Sequence, residues 1–153
     1  MNAKAQAVCY TKQVKNIQER SMFGPCGSEQ KGMASGKLVT LEGVEGCGKS
    51  TQMKLIAATL KAEERMVLTT AEPGATLLGK ELSRLLKEST EIKISPLTEL
   101  FLFLADRAQH VEEIIRPALI RGAVVLCDRY TDSTLTYQGY GRGVDLDLLK
   151  RLN

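Results

Sequence analysis

The chain has 153 residues, 43% of them hydrophobic and 25% charged, with a net charge of +3. That length fits one domain able to bury a real core, and the balance is that of a soluble globular fold. The charge is too small to argue for a nucleic-acid surface, and the longest apolar run, 100–105, is far too short to cross a bilayer.

Residues 1–36 differ from the rest of the chain. They are polar and without sustained periodicity, and 23–36 is rich in Gly, Ser and Pro. Basic residues outnumber acidic ones, but Glu19 and Glu29 speak against an organelle transit peptide, and no apolar segment marks a secretory signal. A dispensable leader before a domain at 37–153 is the expectation, with Met33 as an alternative start. Cys9, Cys26, Cys47 and Cys127 show no C-x-x-C or metal-ligand spacing. A reducing, cytoplasmic setting is therefore expected.

The stretch 37–51, KLVTLEGVEGCGKST, organises the rest. Residues 37–42 read as a short buried strand, and from 52 to 61 apolar residues recur at helical spacing. Between them, Gly43, Val44, Glu45, Gly46, Cys47, Gly48, Lys49 and Ser50 match G-x-x-x-x-G-K-[ST]. Such glycines let the backbone curl its N–H groups around phosphate oxygens, and the helix start adds its unpaired donors. Lys49 would reach the outer phosphates of a nucleoside triphosphate and Ser50 would ligate Mg²⁺. A glycine-rich turn with a surface lysine is the bland alternative; the flanking strand and helix argue against it.

Residues 66–70 read as a second buried strand, ending in a Glu72-Pro73-Gly74 turn. Leu77, Leu78, Leu82, Leu85 and Leu86 then recur as the inner face of a helix. A further helix starts at Pro96, with Leu100, Phe101, Phe103 and Leu104 in its interior, and Pro117 is expected to bend or end it. Glu112, Glu113 and Arg116 have the spacing of solvated helix pairs, and His110 is read as a satisfied histidine without catalytic role. Residues 123–127 form a third buried strand, followed at once by Asp128-Arg129. Helices are expected over 133–138 and from 146. Alternating strands and helices with apolar strands predict an α/β fold, a parallel sheet covered by helices on both faces.

Ligands in such sheets sit beyond the carboxyl ends of the strands. The glycine loop, the Glu72-Pro73-Gly74 turn and Asp128-Arg129 would then open onto one crevice. A carboxylate there suits Mg²⁺, and an arginine offers a fork for a second phosphate. Alone, Asp128-Arg129 would read equally well as an ion pair at a strand end.

The loop LEGVEGCGKST, the turn EPGAT, the segment LFLFLADRAQHVEEIIRPAL and DRYTDSTLTYQGYGRG together resemble bacterial-type thymidylate kinase, a P-loop nucleoside-monophosphate kinase family. The resemblance covers 37–153. It implies a three-layer P-loop NTPase fold, Mg²⁺-dependent transfer of the ATP γ-phosphoryl group to dTMP, and a homodimer. It assigns Lys49, Ser50 and Thr51 to the donor phosphates and Mg²⁺, and Asp128 to the metal. Glu45 would meet the acceptor sugar's 3′-hydroxyl, Phe103 would stack on thymine, and Arg107 would reach a base carbonyl. Arg129 would grip the acceptor phosphate, while Glu72, Pro73, Ser133, Thr134, Tyr137 and Gln138 line the acceptor site. No nucleic-acid or membrane partner is implied. Without the family, Phe103 would be assigned to the core and Arg107 to a surface pair, and Arg142 is only a weak candidate for touching substrate.

There are departures. Ala71 stands where bacterial relatives commonly carry an arginine, Ala75 replaces a glycine, and Gly46 occupies the place of a loop arginine found in some members. The sequence therefore resembles the class whose catalytic arginine comes from a lid, and residues beyond Asn153 that would carry a last strand and that lid are absent. Such an arginine is worth roughly 10³–10⁵ in rate, so this chain by itself is expected to turn over little. A lidless, inactive nucleotide-binding or regulatory product is the alternative, and a kinase for another nucleoside monophosphate a weaker one. Cys47, a small residue within the phosphate loop, is expected to react with thiol reagents in competition with ATP.

Overall fold

A computed structural model describes residues 36–88 and 92–153 of the chain. The expectations for the leader, with Cys9 and Cys26, lie outside the described residues except at Gly36. That glycine already belongs to the domain, since its N–H donates to the Leu119 carbonyl at 3.2 Å.

The order of elements is β1 (Lys37–Leu41), α1 (Lys49–Ala62), β2 (Val67–Ala71), α2 (Leu77–Glu88) and α3 (Pro96–His110). A π-helical segment, Val111–Ile115, carries α3 into α4 (Arg116–Ile120). Then come β3 (Val124–Asp128), α5 (Thr131–Thr134), a second π-helical segment over Leu135–Gly141, and α6 (Leu146–Leu152). Among the described residues the strands form one parallel sheet in the order β1-β3-β2. Leu41, Asp128 and Ala71 are paired across it, so all three strands end in one row.

The two-residue period of the strands builds two cores. Leu41, Val124 and Leu126 point to α1 and pack with Ala57, Met53, Ile56 and Leu60. Leu38, Val125 and Cys127 point the other way, onto Val111, Ile115, Ala118 and Leu119. Helices thus cover both faces, as the apolar strands predict. Complete burial holds only for the central strand: β3 is buried from Val124 to Cys127, whereas β2, expected to be buried, is an edge strand with Thr69 and Ala71 exposed. Having a partner on one side only, it needs less apolar surface.

Two other expectations are corrected and a third is narrowed. Leu77 and Leu78 do not face inward; they are 82% and 47% exposed. The inner face of α2 is built on Gly79, whose N–H donates to Thr76 Oγ1 at 2.9 Å, where an added Cβ would lie 2.2 Å from Asp106 Oδ1. Phe101 is 52% exposed rather than interior, while Leu100 is fully buried. Pro117, expected to bend or end its helix, does not end it. What precedes it is a π-helical turn, Val111–Ile115, that replaces the regular α-helical bonding just before the proline, whose ring leaves no N–H to donate. Pro96 does open α3, with Ser95 as N-cap accepting the Thr98 N–H at 3.3 Å.

Candidate nucleotide-binding site

The glycine loop joins β1 to α1 as its motif demands. Gly43, Gly46 and Gly48 have φ of 149°, 75° and 94°, a region open to glycine and costly for other residues. Gly48 leads directly into α1, whose first turn carries no side-chain cap, leaving its N–H groups free for an anion. Lys49 is buried and folded back on the loop, donating to the carbonyls of Gly43 at 3.0 Å and Val44 at 2.8 Å. Those bonds hold the ring of the loop closed and keep the ammonium at its mouth. Val44, Glu45, Gly46, Ser50 and Thr51 are in the exposed or half-exposed part of the loop, and Cys47, a free thiol, is half-buried 3.9 Å from the Lys49 Nζ.

Across from the loop lies the end of β3. The Ser50 hydroxyl donates to Asp128 Oδ2 at 3.3 Å, and Asp128 Oδ1 is buried without a hydrogen-bond partner. An orphaned carboxylate oxygen beside a hydroxyl is a hard, anionic donor set that suits Mg²⁺ carried in with phosphates. Among the described residues no cluster of His, Cys, Asp and Glu forms a cage of protein ligands alone.

Arg129 comes next with φ of 69°, a left-handed conformation unusual for a residue with a long side chain. Its N–H donates to the Leu41 carbonyl at 3.0 Å. Its guanidinium lies 5.3 Å from the Tyr137 ring centroid, with Ser133 Oγ at 3.4 Å and Tyr137 Oη at 3.3 Å from Nη1. Cys127 is sealed beneath, and burial pushes its thiol far up, so it takes no part as a thiolate.

Arg129 opens onto a cavity of about 520 Å³. Glu72, Pro73, Phe103, Arg107, Arg129, Ser133, Thr134, Tyr137 and Gln138, scattered over the turn after β2, α3, β3 and the α5 region, all line it. Glu45 does not; it stays exposed on the loop. Tyr130 lines it too, its phenol pushed up to about 12, mainly by burial, and so held as a neutral OH. Arg107 is held in place: Nε donates to Glu72 Oε2 at 2.9 Å, Nη2 to Thr134 Oγ1 at 2.8 Å, and Nη1 to Asn153 Oδ1. The Tyr130 ring lies 4.8 Å from its guanidinium carbon. Glu72 Oε1 meets His110 Nδ1 at 2.9 Å, and His110 Nε2 lies 2.7 Å from Thr70 Oγ1. His110 is fully buried and both of its ring nitrogens have partners, the satisfied histidine that its sequence setting suggests.

Asp106, next to this network, is 1% exposed. Its Oδ1 accepts the Gly74 N–H at 3.1 Å, tying the turn after β2 to α3, and its Oδ2 has no partner. Burial pushes its carboxyl above the ordinary carboxylate range; the Gly74 N–H opposes this, and Glu72 adds to it. A group whose folded pKa is raised contributes stability that is complete below its unfolded pKa and is lost as pH rises through the folded value. Asp106→Asn keeps an acceptor for Gly74 and cannot ionise. Urea unfolding should show the variant gaining on the parent as pH is raised from about 4 toward neutrality. A stability difference independent of pH would refute this.

Some residues that line or brace the cavity went unrecognised in the sequence. Glu99 accepts from Gln138 Nε2 at 2.9 Å and pairs with Arg142 Nη2 at 2.8 Å, closing the wall between α3 and the π-helical segment. Glu42, read only as the end of a strand, accepts the Tyr130 N–H at 2.8 Å and the Ser133 hydroxyl at 2.5 Å. Leu86 and Lys87 at the end of α2 also reach the cavity. A carboxylate directly before the first glycine of a phosphate loop was a visible signal for Glu42; nothing local distinguished Glu99 from a helix-start acid.

The family model described as thymidylate kinase matches residues 41–153. A thymidylate kinase of Solidesulfovibrio magneticus is 57% identical over 115 residues, 75% of this chain and 55% of that protein. One of Nostoc punctiforme is 53% identical over 119 residues, 77% of this chain and 56% of that protein. The crystal structure of thymidylate kinase from Ehrlichia chaffeensis superposes with a TM-score of 0.71 at 40% identity, covering 78% of this chain and 64% of that one. The chain thus spans about half the length of the curated relatives it matches.

Proposed function

This chain belongs to the thymidylate kinase family, and from that premise we propose that it serves transfer of the ATP γ-phosphoryl group to dTMP, giving dTDP and ADP. The observation that carries the proposal is the cavity that gathers Phe103, Arg107, Arg129 and Tyr137, one residue beyond the Asp128 that Ser50 of the glycine loop touches. Donor and acceptor pockets then meet at the end of β3. Phe103 offers a flat face to a pyrimidine, Arg107 a fixed donor fork to its carbonyl, and Arg129 a second fork to the monophosphate. Thr134 and Gln138 complete the wall, and Glu45, on the loop, is proposed to meet the sugar when nucleotides are bound.

Lys49 would exchange its loop carbonyls for the β- and γ-phosphate oxygens, with Thr51 beside it at the start of α1. Ser50 and Asp128 would hold Mg²⁺. When bound, the ion neutralises charge on the phosphates being separated. The chain's own share is positioning and charge, which is most of what phosphoryl transfer needs. A homodimer belongs to the same proposal, supported by Leu97 and Phe101, exposed one turn apart on α3. Among the described residues no helix is long and apolar enough to cross a membrane.

The test is ADP release by purified chain with ATP and Mg²⁺, comparing dTMP with dCMP, UMP and GMP. Release that requires dTMP supports the reading. Equal stimulation by another monophosphate would overturn the substrate, and dTMP binding without release would leave a nucleotide-binding module.

A further inference from the structure

The left-handed Arg129 is held from two sides, both belonging to the start of the glycine loop. Its own N–H is taken by the Leu41 carbonyl at 3.0 Å, and the next N–H along the chain, that of Tyr130, is taken by Glu42 Oε1 at 2.8 Å. The other oxygen of the same carboxylate accepts the Ser133 hydroxyl at 2.5 Å, and Ser133 Oγ in turn stands 3.4 Å from Arg129 Nη1. A non-glycine residue with φ of 69° is a conformation that persists only where its surroundings over-determine it. Leu41 and Glu42 are those surroundings.

We propose that Glu42 is a positioning residue: its carboxylate clamps the backbone turn after β3 and, through Ser133, sets the direction in which Arg129 enters the cavity. Both arms matter in different ways. The Tyr130 arm fixes the backbone from which Arg129 projects. The Ser133 arm uses up the hydroxyl hydrogen, so that Ser133 presents a lone pair and not a hydrogen to the guanidinium. Because Glu42 is the last residue before Gly43, any shift of the phosphate loop moves this clamp. Glu42 thereby ties the geometry of the donor loop to that of the arginine on the acceptor side. The inference rests on the reading of Arg129 as the grip on the acceptor phosphate.

The experiment compares binding of dTMP and of thymidine by calorimetry to the full chain, to Glu42→Ala and to Glu42→Gln, with circular dichroism to show folding. The two ligands share base and sugar, so their affinity ratio reports the phosphate contact alone, which disturbance of the base pocket would not move. The parent should favour dTMP. Glu42→Ala should lose about tenfold or more of that preference, the worth of one charge-assisted hydrogen bond, with thymidine binding unchanged. Glu42→Gln, which still accepts from Tyr130 N–H, should keep most of it, and should it lose as much as the alanine variant the backbone clamp is refuted. Should the alanine variant not fold, a glutamine variant with the parent's preference upholds the Tyr130 arm, and one without any refutes it. An unchanged preference in Glu42→Ala overturns the proposal and leaves the kinase reading standing. A parent that binds dTMP no better than thymidine overturns both, through the role of Arg129.

Discussion

Whatever dTMP-dependent ADP release the chain supports, Lys49→Ala is expected to lower it by at least about a hundredfold, the usual cost of removing one pre-aimed donor from a charge-separating transition state. The amine is already in place for that role. It lies buried at the mouth of the loop, bonded to the carbonyls of Gly43 and Val44. A charged ammonium in such a place has lost much of its water, and two neutral carbonyls replace that water only in part. Phosphate oxygens are better partners, being charged. Arrival of a nucleotide therefore improves the position of Lys49, and the loop needs no rebuilding to receive it. The alanine variant loses this gain and also the bonds that close the loop. Rate and ATP affinity should both fall, while the urea midpoint moves little, because Lys49 belongs to neither apolar core. Lys49→Arg separates charge from shape: its planar fork does not fit a site built on a point charge, so activity should not return. An alanine variant with near-parent release would mean that the loop does not hold the donor phosphates.

What could be read from the sequence divides along physical lines. The glycine loop was legible because its chemistry is backbone chemistry, fixed by which residues lack a Cβ. The three strands were legible because their apolar runs are longer than any turn would tolerate, and β3, the most apolar, is the central one. Of the cavity wall, Glu72, Pro73 and Arg129 were legible from their places at strand ends, whereas Phe103, Arg107, Thr134, Tyr137 and Gln138 were legible only through resemblance. Phe103 and Phe101 are two apart on one helix and equally apolar; that one lines the cavity and the other meets solvent depends on where α2 packs. The inner face of α2 was misread for a related reason. Leucines mark a helical period, but the closest approach here is made at Gly79, a residue that periodicity scores as empty. Carboxylates with remote partners were the hardest. Glu42, Glu72, Glu99 and Asp106 each work by accepting hydrogen bonds from residues 32 or more positions away, and no local pattern announces such a partner.

Glu72→Ala should be the most damaging single change to stability, at about 3–5 kcal/mol, the range for breaking a buried ion pair by removing one partner. One carboxylate serves two cations or donors here, Arg107 at 2.9 Å and His110 at 2.9 Å, with its own side chain 5% exposed and those of its partners 10% and 0%. Its removal leaves a guanidinium nearly out of water with Thr134, Asn153 and the Tyr130 face as partners, none of them charged. A drop in melting temperature on the order of 10 °C is expected for a domain of this size. Thymidine binding should fall with it, since a released Arg107 no longer presents a fixed fork to the cavity. Arg107→Ala should cost less, because Glu72 keeps its bond to His110. In the double variant the two costs should fall well short of adding, with a coupling of about 0.5–3 kcal/mol, as expected for groups in one buried network. Simple additivity in that cycle, measured by urea unfolding, would show that Glu72 and Arg107 act independently and that the link from the turn after β2 to the cavity is carried elsewhere. Were the coupling present but thymidine binding unaffected by Glu72→Ala, the pair would be a brace between β2 and α3, and recognition of the base would fall to Phe103 and Gln138.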